Sequence, residues 1–320
     1  MREWQPSATL NVLQQRARLN NQIREFFSMR SILEVDVPVI GQSTVTDHNI
    51  ESMSVDVLGQ KGFLQTSPEY FMKRLLASGS GDIFSLGKAF RQGEIGGKHN
   101  PEFALLEWYR CGWNEHQLMD EVIALLGSII NTTRDSPIPV LKVSYSDCVF
   151  GYLGFDPHNI DLDSLRIIAA DLGSKSWLKE SRENCLDLIF SMAIEAKLPD
   201  GLVLIYDYPE CQAALSKIDS NVKGQIVSRR FEVFYNSTEI GNGYFELIDA
   251  CEQVKRFDAD VVYRFERQSE TVTIDRKLIA ALEKGLPECS GVAIGLDRLL
   301  MELLELKSID QVLSFSWPTA

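Results

Sequence analysis

Two stretches of alternating hydrophobic and polar residues flank a glycine-rich loop. The first stretch has the apolar spacing of a strand, with Ile83, Phe84, Leu86 and Phe90. The second places two sets on opposite faces, Phe103, Leu105, Glu107 and Tyr109 against Ala104, Leu106, Trp108 and Arg110. The loop between them carries glycines and basic residues. The pattern predicts a β-hairpin with a positively charged loop.

Similar patterns predict elements at both ends of the chain. An N-terminal helix is predicted with a buried side made of Leu10, Leu13, Ala17, Ile23 and Phe26. Residues 32–39 then alternate cleanly, and Pro38 within them indicates an edge or interface strand. Near the C-terminus, residues 289–295 predict a short strand followed by a helix. That helix has one apolar stripe, Leu296, Leu299, Leu300, Leu303 and Leu304.

The middle of the chain is less informative. Helices are predicted over residues 115–131, 163–172 and 182–196, and a buried strand over residues 202–206. Pro137 and Pro139 mark a linker, and residues 207–216 predict a loop. There is no internal repeat or low-complexity segment, so a single domain over residues 1–320 is predicted.

The predicted hairpin combines residue types that bind nucleotides. Arg91 and Lys98 can bind a triphosphate, while Phe103 can stack on a base. Glu107 and Tyr109 share the face of Phe103, so one strand can present nucleotide and substrate groups together. Taken alone, however, Arg91 would be an ordinary solvated loop arginine.

The C-terminal strand and helix offer a second phosphate candidate. Gly295 allows the backbone to approach a ligand, and Arg298 lies in the first turn of the helix after it. A glycine pair followed by an arginine is by itself more often a plain helix start than a phosphate site.

Two carboxylates near residue 240 suggest a metal site. Glu239 and Glu246 would lie on opposite faces of an unbroken strand, because they are an odd number of positions apart. The Gly-Asn-Gly at 241–243 indicates a bend or bulge that would bring both to one site. Magnesium suits such a pair, since it binds few protein groups. Alone, the segment would be a hairpin with two exposed acids.

The segment Ser67-Pro68-Glu69 predicts a helix start. Ser67 suits the N-cap and Pro68 the first helical position. Read by itself, the segment is an ordinary helix start. Glu69 lies at that start, where its carboxylate could face a pocket and pair with an ammonium group.

Composition limits the class of partner. The chain has 32 Lys and Arg against 45 Asp and Glu, a net charge of −13, whereas a nucleic-acid binder normally has a basic face. The six cysteines and four histidines are scattered, which favours reduced cysteines in a cytoplasmic protein over a zinc site or a disulfide framework. No signal peptide or membrane-length apolar run is present.

Several segments together resemble the class II aminoacyl-tRNA synthetases. Residues 90–110 are similar to motif 2 of the lysyl branch, residues 289–298 to motif 3, and residues 32–39 with the helix before them to the dimer-forming motif 1. The strings Phe90-Arg91, 99–103, 106–110 and 289–293 carry the resemblance most specifically. It implies an α+β fold, an antiparallel sheet flanked by helices, and a homodimer.

One helix precedes motif 1, which leaves no room for the oligonucleotide-binding barrel that reads the anticodon in lysyl-tRNA synthetases. The chain therefore resembles their stand-alone paralogues that modify translation elongation factor P. This resemblance implies activation of (R)-β-lysine with ATP and Mg2+ in the cytoplasm. It also implies transfer to a lysine side chain of elongation factor P rather than to tRNA.

The resemblance also implies roles for individual residues. Arg91 and Arg298 would be catalytic and meet the phosphates, Phe103 would stack on adenine, and Glu239 with Glu246 would hold magnesium. ATP binding is implied for Arg91, Gln92, Gly93, Glu94, Phe103, Glu239, Ile240, Gly295 and Arg298. Substrate binding is implied for Ser67, Pro68, Glu69, Asn100, Glu107, Tyr109, Glu246 and Ala293.

Two positions depart from the lysyl-tRNA synthetase pattern. Gly93 stands where those enzymes have glutamate, with Glu94 one step later, so recognition of adenine by that carboxylate shifts to Glu94 or is lost. Ala293 stands where they usually have glycine. Its methyl group would reshape the pocket around an α-amino group, as a β-amino acid requires.

Other interpretations stay open at this point. The chain would also fit a truncated synthetase that charges tRNA or a minihelix. A second alternative is a catalytically silent regulatory paralogue that uses the former active-site pocket to bind ligands. Against it, the candidate catalytic residues Arg91, Glu239, Glu246 and Arg298 are all present. A class II asparagine synthetase is a more distant alternative.

Overall fold

The computed structural model describes residues 4–133 and 136–320 and contains two compact units. The first unit comprises the chain up to Asn114 together with Leu247–Ala320, and the second comprises Glu115–Glu246. The single catalytic domain over residues 1–320 stays a prediction. Within the described residues, no helix combines the length and apolar character needed to cross a membrane.

Helices and strands alternate irregularly along the chain. The helices are α1 (Leu10–Ser28), α2 (Glu69–Ala77), α3 (Glu115–Ile130), α4 (Tyr145–Leu153), α5 (Leu162–Leu172), α6 (Arg182–Ala193), α7 (Ala250–Glu266), α8 (Arg276–Gly285) and α9 (Leu296–Leu303). The strands are β1 (Leu33–Glu34), β2 (Ile40–Gly41), β3 (Ser54–Val57), β4 (Gln60–Leu64), β5 (Ile83–Phe90), β6 (Glu102–Cys111), β7 (Val140–Ser144), β8 (Leu202–Pro209), β9 (Ile218–Ser220), β10 (Ile226–Tyr235), β11 (Thr238–Phe245) and β12 (Cys289–Gly295).

Short polar side chains begin many of these helices. Each accepts a hydrogen bond from a backbone N–H that the first helical turn leaves without a partner. The capping residues are Thr9, Ser144, Asp161, Ser181, Asp249 and Asp275.

The first unit is built around the predicted hairpin. Strands β5 and β6 pair antiparallel, β12 pairs antiparallel with β6, and the short β1 pairs parallel with β5. Behind this sheet, the ring of Phe27 from α1 stacks on Phe84 at 4.5 Å and lies 5.4 Å from Trp108. Burial of these large aromatic surfaces attaches α1 to the hairpin. A separate small sheet has the order β2-β4-β3.

The second unit has a sheet and a helical cover of its own. Strand β10 pairs antiparallel with β8, β9 and β11, and β7 pairs parallel with β8. The rings of Tyr145 and Phe190 stack at 5.5 Å in a buried cluster that includes Ile205 and Phe234. The α+β class with an antiparallel sheet and flanking helices, predicted from the sequence, is confirmed.

The structure corrects the predicted motif 1 strand and the helix before it. The strand expected over residues 32–39 covers only Leu33 and Glu34, and Pro38, which has no N–H to donate to a ladder, lies outside it. On α1, Leu10 and Ala17 are exposed, and the buried stripe instead contains Val12, Leu19, Ile23, Phe26 and Phe27.

Two local predictions also need correction. Helix α2 begins at Glu69 with Pro68 at the N-cap, and no side chain caps it, so the N-cap prediction for Ser67 is wrong. The loop predicted at residues 207–216 starts later, because β8 continues to Pro209 and its last two residues, Tyr208 and Pro209, pair with β10.

A buried arginine orders the chain between β2 and β3. Arg264 of α7 is 1% exposed, and its guanidinium donates to the carbonyl oxygens of Thr46, Asp47 and Ile50 at 2.5–2.9 Å. It also pairs with Glu51 at 3.2 Å. One side chain therefore satisfies several backbone acceptors of an irregular segment that has no ladder of its own.

Replacing Arg264 by methionine would keep most of its bulk but remove all of its donors. We expect the free energy of unfolding to fall by about 3 kcal/mol, because buried carbonyl oxygens lose their partners. Urea denaturation measures the change. Lys255→Met on the same helix is the matched control, since Lys255 is largely exposed and its loss is expected to cost less than about 1 kcal/mol. Equal stability of the two variants would contradict the anchoring role.

Candidate active site

The centre of the hairpin carries a buried acidic group. Glu107 lies opposite Ser85 on one side and Ala293 on the other, and Tyr109 lies opposite Ile83 and Gly291. The hydroxyl of Tyr109 donates to Glu107 Oε1 at 2.8 Å, and both side chains are at most 3% exposed. The strands therefore hold a carboxylate and a phenol in fixed positions, as predicted for Glu107 and Tyr109.

Arg91 begins the hairpin loop with a donor that has no protein acceptor. Its guanidinium lies 5.1 Å from the ring centroid of Phe103, and Nη1 donates to Glu94 at 3.3 Å. Its Nε is buried and has no hydrogen-bond partner among the described residues. A buried donor of this kind normally finds an acceptor, so an anionic ligand is well suited to it.

The glycine next to this arginine explains one departure from the synthetase pattern. Gly93 has a φ of +80°, a left-handed conformation that a glutamate would adopt only with strain. The turn that it permits places the carboxylate of Glu94, rather than that of residue 93, beside Arg91. Gln92, in the same turn, donates its N–H to Glu51 O at 2.8 Å.

The rest of the loop is tied to the C-terminal segment. Ile309 N donates to Gly97 O at 2.8 Å, and Trp317 N donates to Asn100 Oδ1 at 3.0 Å. The amide of Asn100 in turn donates to Glu102 O at 2.6 Å. Asn100 therefore orders the loop. Its predicted contact with the substrate would be made in addition to these two hydrogen bonds.

Arg298 contacts the same loop from the start of α9. Its Nη2 lies 2.5 Å from His99 Nε2, and its Nε donates to Lys98 O at 3.3 Å. Gly295 is the N-cap of α9, so the strand-to-helix turn predicted from the sequence is present. Since Arg91 and Arg298 both touch the loop over residues 91–101, the first unit brings the two predicted phosphate ligands to one segment.

The position of Arg298 depends on a neighbour that the sequence analysis did not single out. Asp297 is 1% exposed; it accepts from Arg16 of α1 at 2.5 Å and from the backbone N–H of Ala104 at 2.7 Å. A signal for it exists in the sequence. Three and four positions further along the helix are the buried Leu300 and Met301, so an aspartate here must point inward.

Glu69, the predicted ligand for an ammonium group, already has a cationic partner. The ammonium group of Lys73, one helical turn later and 1% exposed, donates to Glu69 Oε1 at 2.7 Å. The carboxylate has a second oxygen and further acceptor positions, so it can bind a second ammonium. Ser67 and Pro68 directly precede Glu69, which is the first residue of α2.

In the second unit, the strand register groups the predicted metal ligands. Phe234 lies opposite Glu239 and Val233 opposite Gly241, so Ile240 is the extra residue of a β-bulge. The bulge turns Glu239 to the face that carries Asn242 and Tyr244, and the alternation continues to the buried Glu246. The irregularity expected within Gly-Asn-Gly thus occurs one residue before it.

A further carboxylate, missed by the sequence analysis, shares this face. Glu232 on β10 lies opposite Asn242; it accepts from Arg230 and from the Tyr208 hydroxyl at 2.7 Å each. The pKa of Glu232 is raised to about 7, mainly by burial and also by Glu239, while Arg230 opposes the shift. The sequence could have indicated this carboxylate, because Glu232 and Arg230 are two residues apart on a strand and so lie on one face.

Magnesium binding by Glu239 and Glu246 stays a prediction. Glu232 and Glu239 share one face of the sheet, and magnesium needs only one or two protein carboxylates. Among residues 4–133 and 136–320, no group of three or more His, Cys, Asp and Glu side chains is arranged to hold a metal.

Comparison with known proteins identifies the family. Residues 3–318 match the family described as tRNA synthetases class II (D, K and N). The chain belongs to this family. Membership implies the use of ATP, and the class II synthetase resemblance inferred from the motifs is confirmed.

Similar proteins that align with this chain over nearly their whole length are named as ligases. One from Vibrio cholerae serotype O1, named elongation factor P--(R)-beta-lysine ligase, is 43% identical, and the alignment covers 99% of each chain. Proteins of the same name from Vibrio atlanticus and Haemophilus influenzae are 41% and 40% identical. The alignments cover 98% of each chain for the first, and 99% of this chain and 98% of the relative for the second. The predicted resemblance to this group of synthetase paralogues is confirmed.

For a class II synthetase of this kind, Arg91→Ala and Arg298→Ala are expected to slow ATP–pyrophosphate exchange. Each removes a positive charge from a site where phosphate charge is stabilised, which costs about 2–4 kcal/mol of transition-state stabilisation. The exchange rate with lysine isomers, measured for both variants, would therefore fall by about 30- to 1000-fold. Arg276→Ala, at the exposed start of α8, is the matched control. Rates equal to that of the control would rule out these phosphate-binding roles.

Proposed function

We propose that this protein is an ATP-dependent ligase that activates (R)-β-lysine as an aminoacyl-adenylate. It then transfers the lysyl group to the ε-amino group of a lysine in translation elongation factor P. The observation that carries the proposal is the identity of 40–43% over nearly the full length of relatives named for this reaction.

In the first half-reaction, the substrate carboxylate attacks the α-phosphate of ATP and pyrophosphate leaves. Such a step requires alignment and neutralised phosphate charge more than covalent help from the protein. Arg91 would stabilise the α-phosphate and Arg298 the γ-phosphate. The orphan Nε of Arg91 and the cation–π contact with Phe103 support this division, because a nucleotide would complete both.

The adenine and the metal would be held by other residues of the predicted set. Phe103 would stack on the base, with Glu94 and the loop around Gln92 and Gly93 at its edge. Glu239 and Glu246 would bind Mg2+, with Glu232 beside them on the same strand face. When bound, the metal supplies positive charge for the phosphate oxygens.

Recognition of lysine would rest on acidic groups. A lysine isomer carries two ammonium groups, and Glu69, Glu107 and Glu246 are the predicted partners. The fixed Tyr109–Glu107 pair supports a role for Glu107, since its carboxylate is buried and oriented before the substrate arrives. The methyl group of Ala293, directly opposite Glu107, would select the position of the amino group.

In the second half-reaction, a deprotonated ε-amine attacks the adenylate carbonyl, an amide forms and AMP leaves. The acidic chain, with a net charge of −13, supports a protein acceptor rather than tRNA. We further propose that the protein acts in the cytoplasm, where translation supplies this acceptor.

A homodimer formed through the motif 1 segment is also proposed. Large apolar side chains of the chain directly after α1 are exposed in the single chain, namely Met29, Leu33, Val39 and Ile40. A second copy related by a two-fold axis would cover them.

The acceptor is tested by incubating the enzyme, ATP and labelled (R)-β-lysine separately with elongation factor P and with total tRNA. We expect label on the factor that survives mild alkali, because an amide resists the treatment that hydrolyses an aminoacyl ester. Factor with acetylated lysines is the matched control and should remain unlabelled. Alkali-labile label on tRNA, with none on the factor, would replace this proposal by the truncated-synthetase interpretation.

Ala293→Gly is expected to relax the discrimination between β-lysine and α-lysine by about 1–3 kcal/mol, the range for one methyl-sized change in a pocket. The ratio of kcat/KM values for exchange with the two isomers measures it. Ala104→Gly, on the other face of β6, makes the same chemical change and should leave the ratio unaltered. An unchanged ratio in both variants would remove Ala293 from the specificity pocket.

A further inference from the structure

Two cysteines that are distant in sequence lie directly opposite each other in the sheet of the first unit. Cys111 is the last residue of β6, Cys289 is the first residue of β12, and the register pairs them. Directly opposed residues of an antiparallel pair point to the same face of the sheet. The two thiols are therefore neighbours on one surface.

The hydrogen bonds of the ladder define the type of this pair. Gly112 N donates to Glu288 O at 2.7 Å, which makes Gly112 and Glu288 a hydrogen-bonded pair. Since the two kinds of pair alternate, Cys111 and Cys289 form a non-hydrogen-bonded pair. Cα atoms in such a pair lie about 4.5 Å apart, within the roughly 4.4–6.8 Å range that a disulfide requires.

The two thiols differ in their access to solvent. Cys289 is fully buried, whereas Cys111 is partly exposed, and all six cysteines of the chain are reduced in the structure. Burial and then the neighbouring Asp82 raise the pKa of Cys111, with Arg110 opposing the shift. The thiolate, which is the reactive form, is therefore scarce at neutral pH. Cys111 is expected to react slowly, so a high concentration of oxidant is needed.

We propose that Cys111 and Cys289 are a site of reversible oxidation, joined as an intramolecular disulfide by a peroxide. The Cys111 thiolate attacks one peroxide oxygen, the O–O bond breaks, and Cys111 becomes a sulfenic acid as the peroxide is reduced. The thiol of Cys289 then attacks the Cys111 sulfur, the S–S bond forms and water leaves. Two thiols and one hydrogen peroxide thus give one disulfide and two waters.

The bond would join the two strands that carry the centre of the candidate site. The next pair on the same face is Tyr109 with Gly291, and the pair after it is Glu107 with Ala293. The proposal itself concerns only the thiol chemistry and does not depend on the proposed function.

The test treats the full-length protein with millimolar hydrogen peroxide, blocks remaining thiols under denaturing conditions, and maps peptides by mass spectrometry without reduction. We expect the peptides of Cys111 and Cys289 to be joined, the number of free thiols to fall by two, and dithiothreitol to restore them. Cys251→Ser serves as the background, because the exposed Cys251 would otherwise join two copies of the chain.

Cys111→Ser in that background removes the partly exposed thiol, so the cross-link should be absent and Cys289 should remain a thiol. The matched control, Cys148→Ser, changes a buried cysteine outside the pair and should leave the cross-link intact. The proposal would be overturned if Cys111 and Cys289 both remained thiols after the peroxide treatment. Conversion of Cys111 to a sulfinic acid with Cys289 still reduced would overturn it too.

Discussion

The first unit depends on one buried carboxylate. Asp297 at the start of α9 accepts hydrogen bonds from Arg16 of α1 and from the backbone of Ala104 in β6. A charge so fully removed from water is tolerated only with close partners, so three elements must meet at this point. Arg16 also donates to Val312 O, which brings the C-terminal segment to the same place. The next residue is Arg298, and its direction follows from this anchor.

The hairpin loop is also ordered by hydrogen bonds to residues that are distant in sequence. Its glycines would leave it loose, but the N–H of Gln92 donates to Glu51 O. The carbonyl oxygen of Gly97 and the side-chain Oδ1 of Asn100 accept hydrogen bonds from the C-terminal segment. Arg264 orders the segment that ends at Glu51, and the carbonyl oxygen of Glu51 accepts from Gln92. Arg91 therefore stands on a loop whose backbone is fixed before a ligand arrives, which reduces the entropy lost on binding.

Much of this site was predictable from the sequence. The alternation in β5 and β6 determined which residues share a face, because the period of a strand is two whatever lies around it. The turn from Gly295 into α9 and the place of Glu69 in the first turn of α2 were equally local. The motifs around Arg91 and Arg298 identified the family, since their order along the chain is a property of the sequence alone.

Only the tertiary structure decided the rest, because it depends on contacts between residues distant in sequence. Gly-Asn-Gly predicted an irregularity in β11, but only the register with β10 places the bulge at Ile240, where it turns Glu239 to the face of Glu232. Helical spacing alone brings Lys73 to Glu69, but tertiary packing decided that Lys73 is buried at 1% exposure. Cys111 and Cys289 looked scattered in the sequence, and they became neighbours when β12 paired with β6. Sequence period determines the face of a side chain, while strand register determines its neighbour.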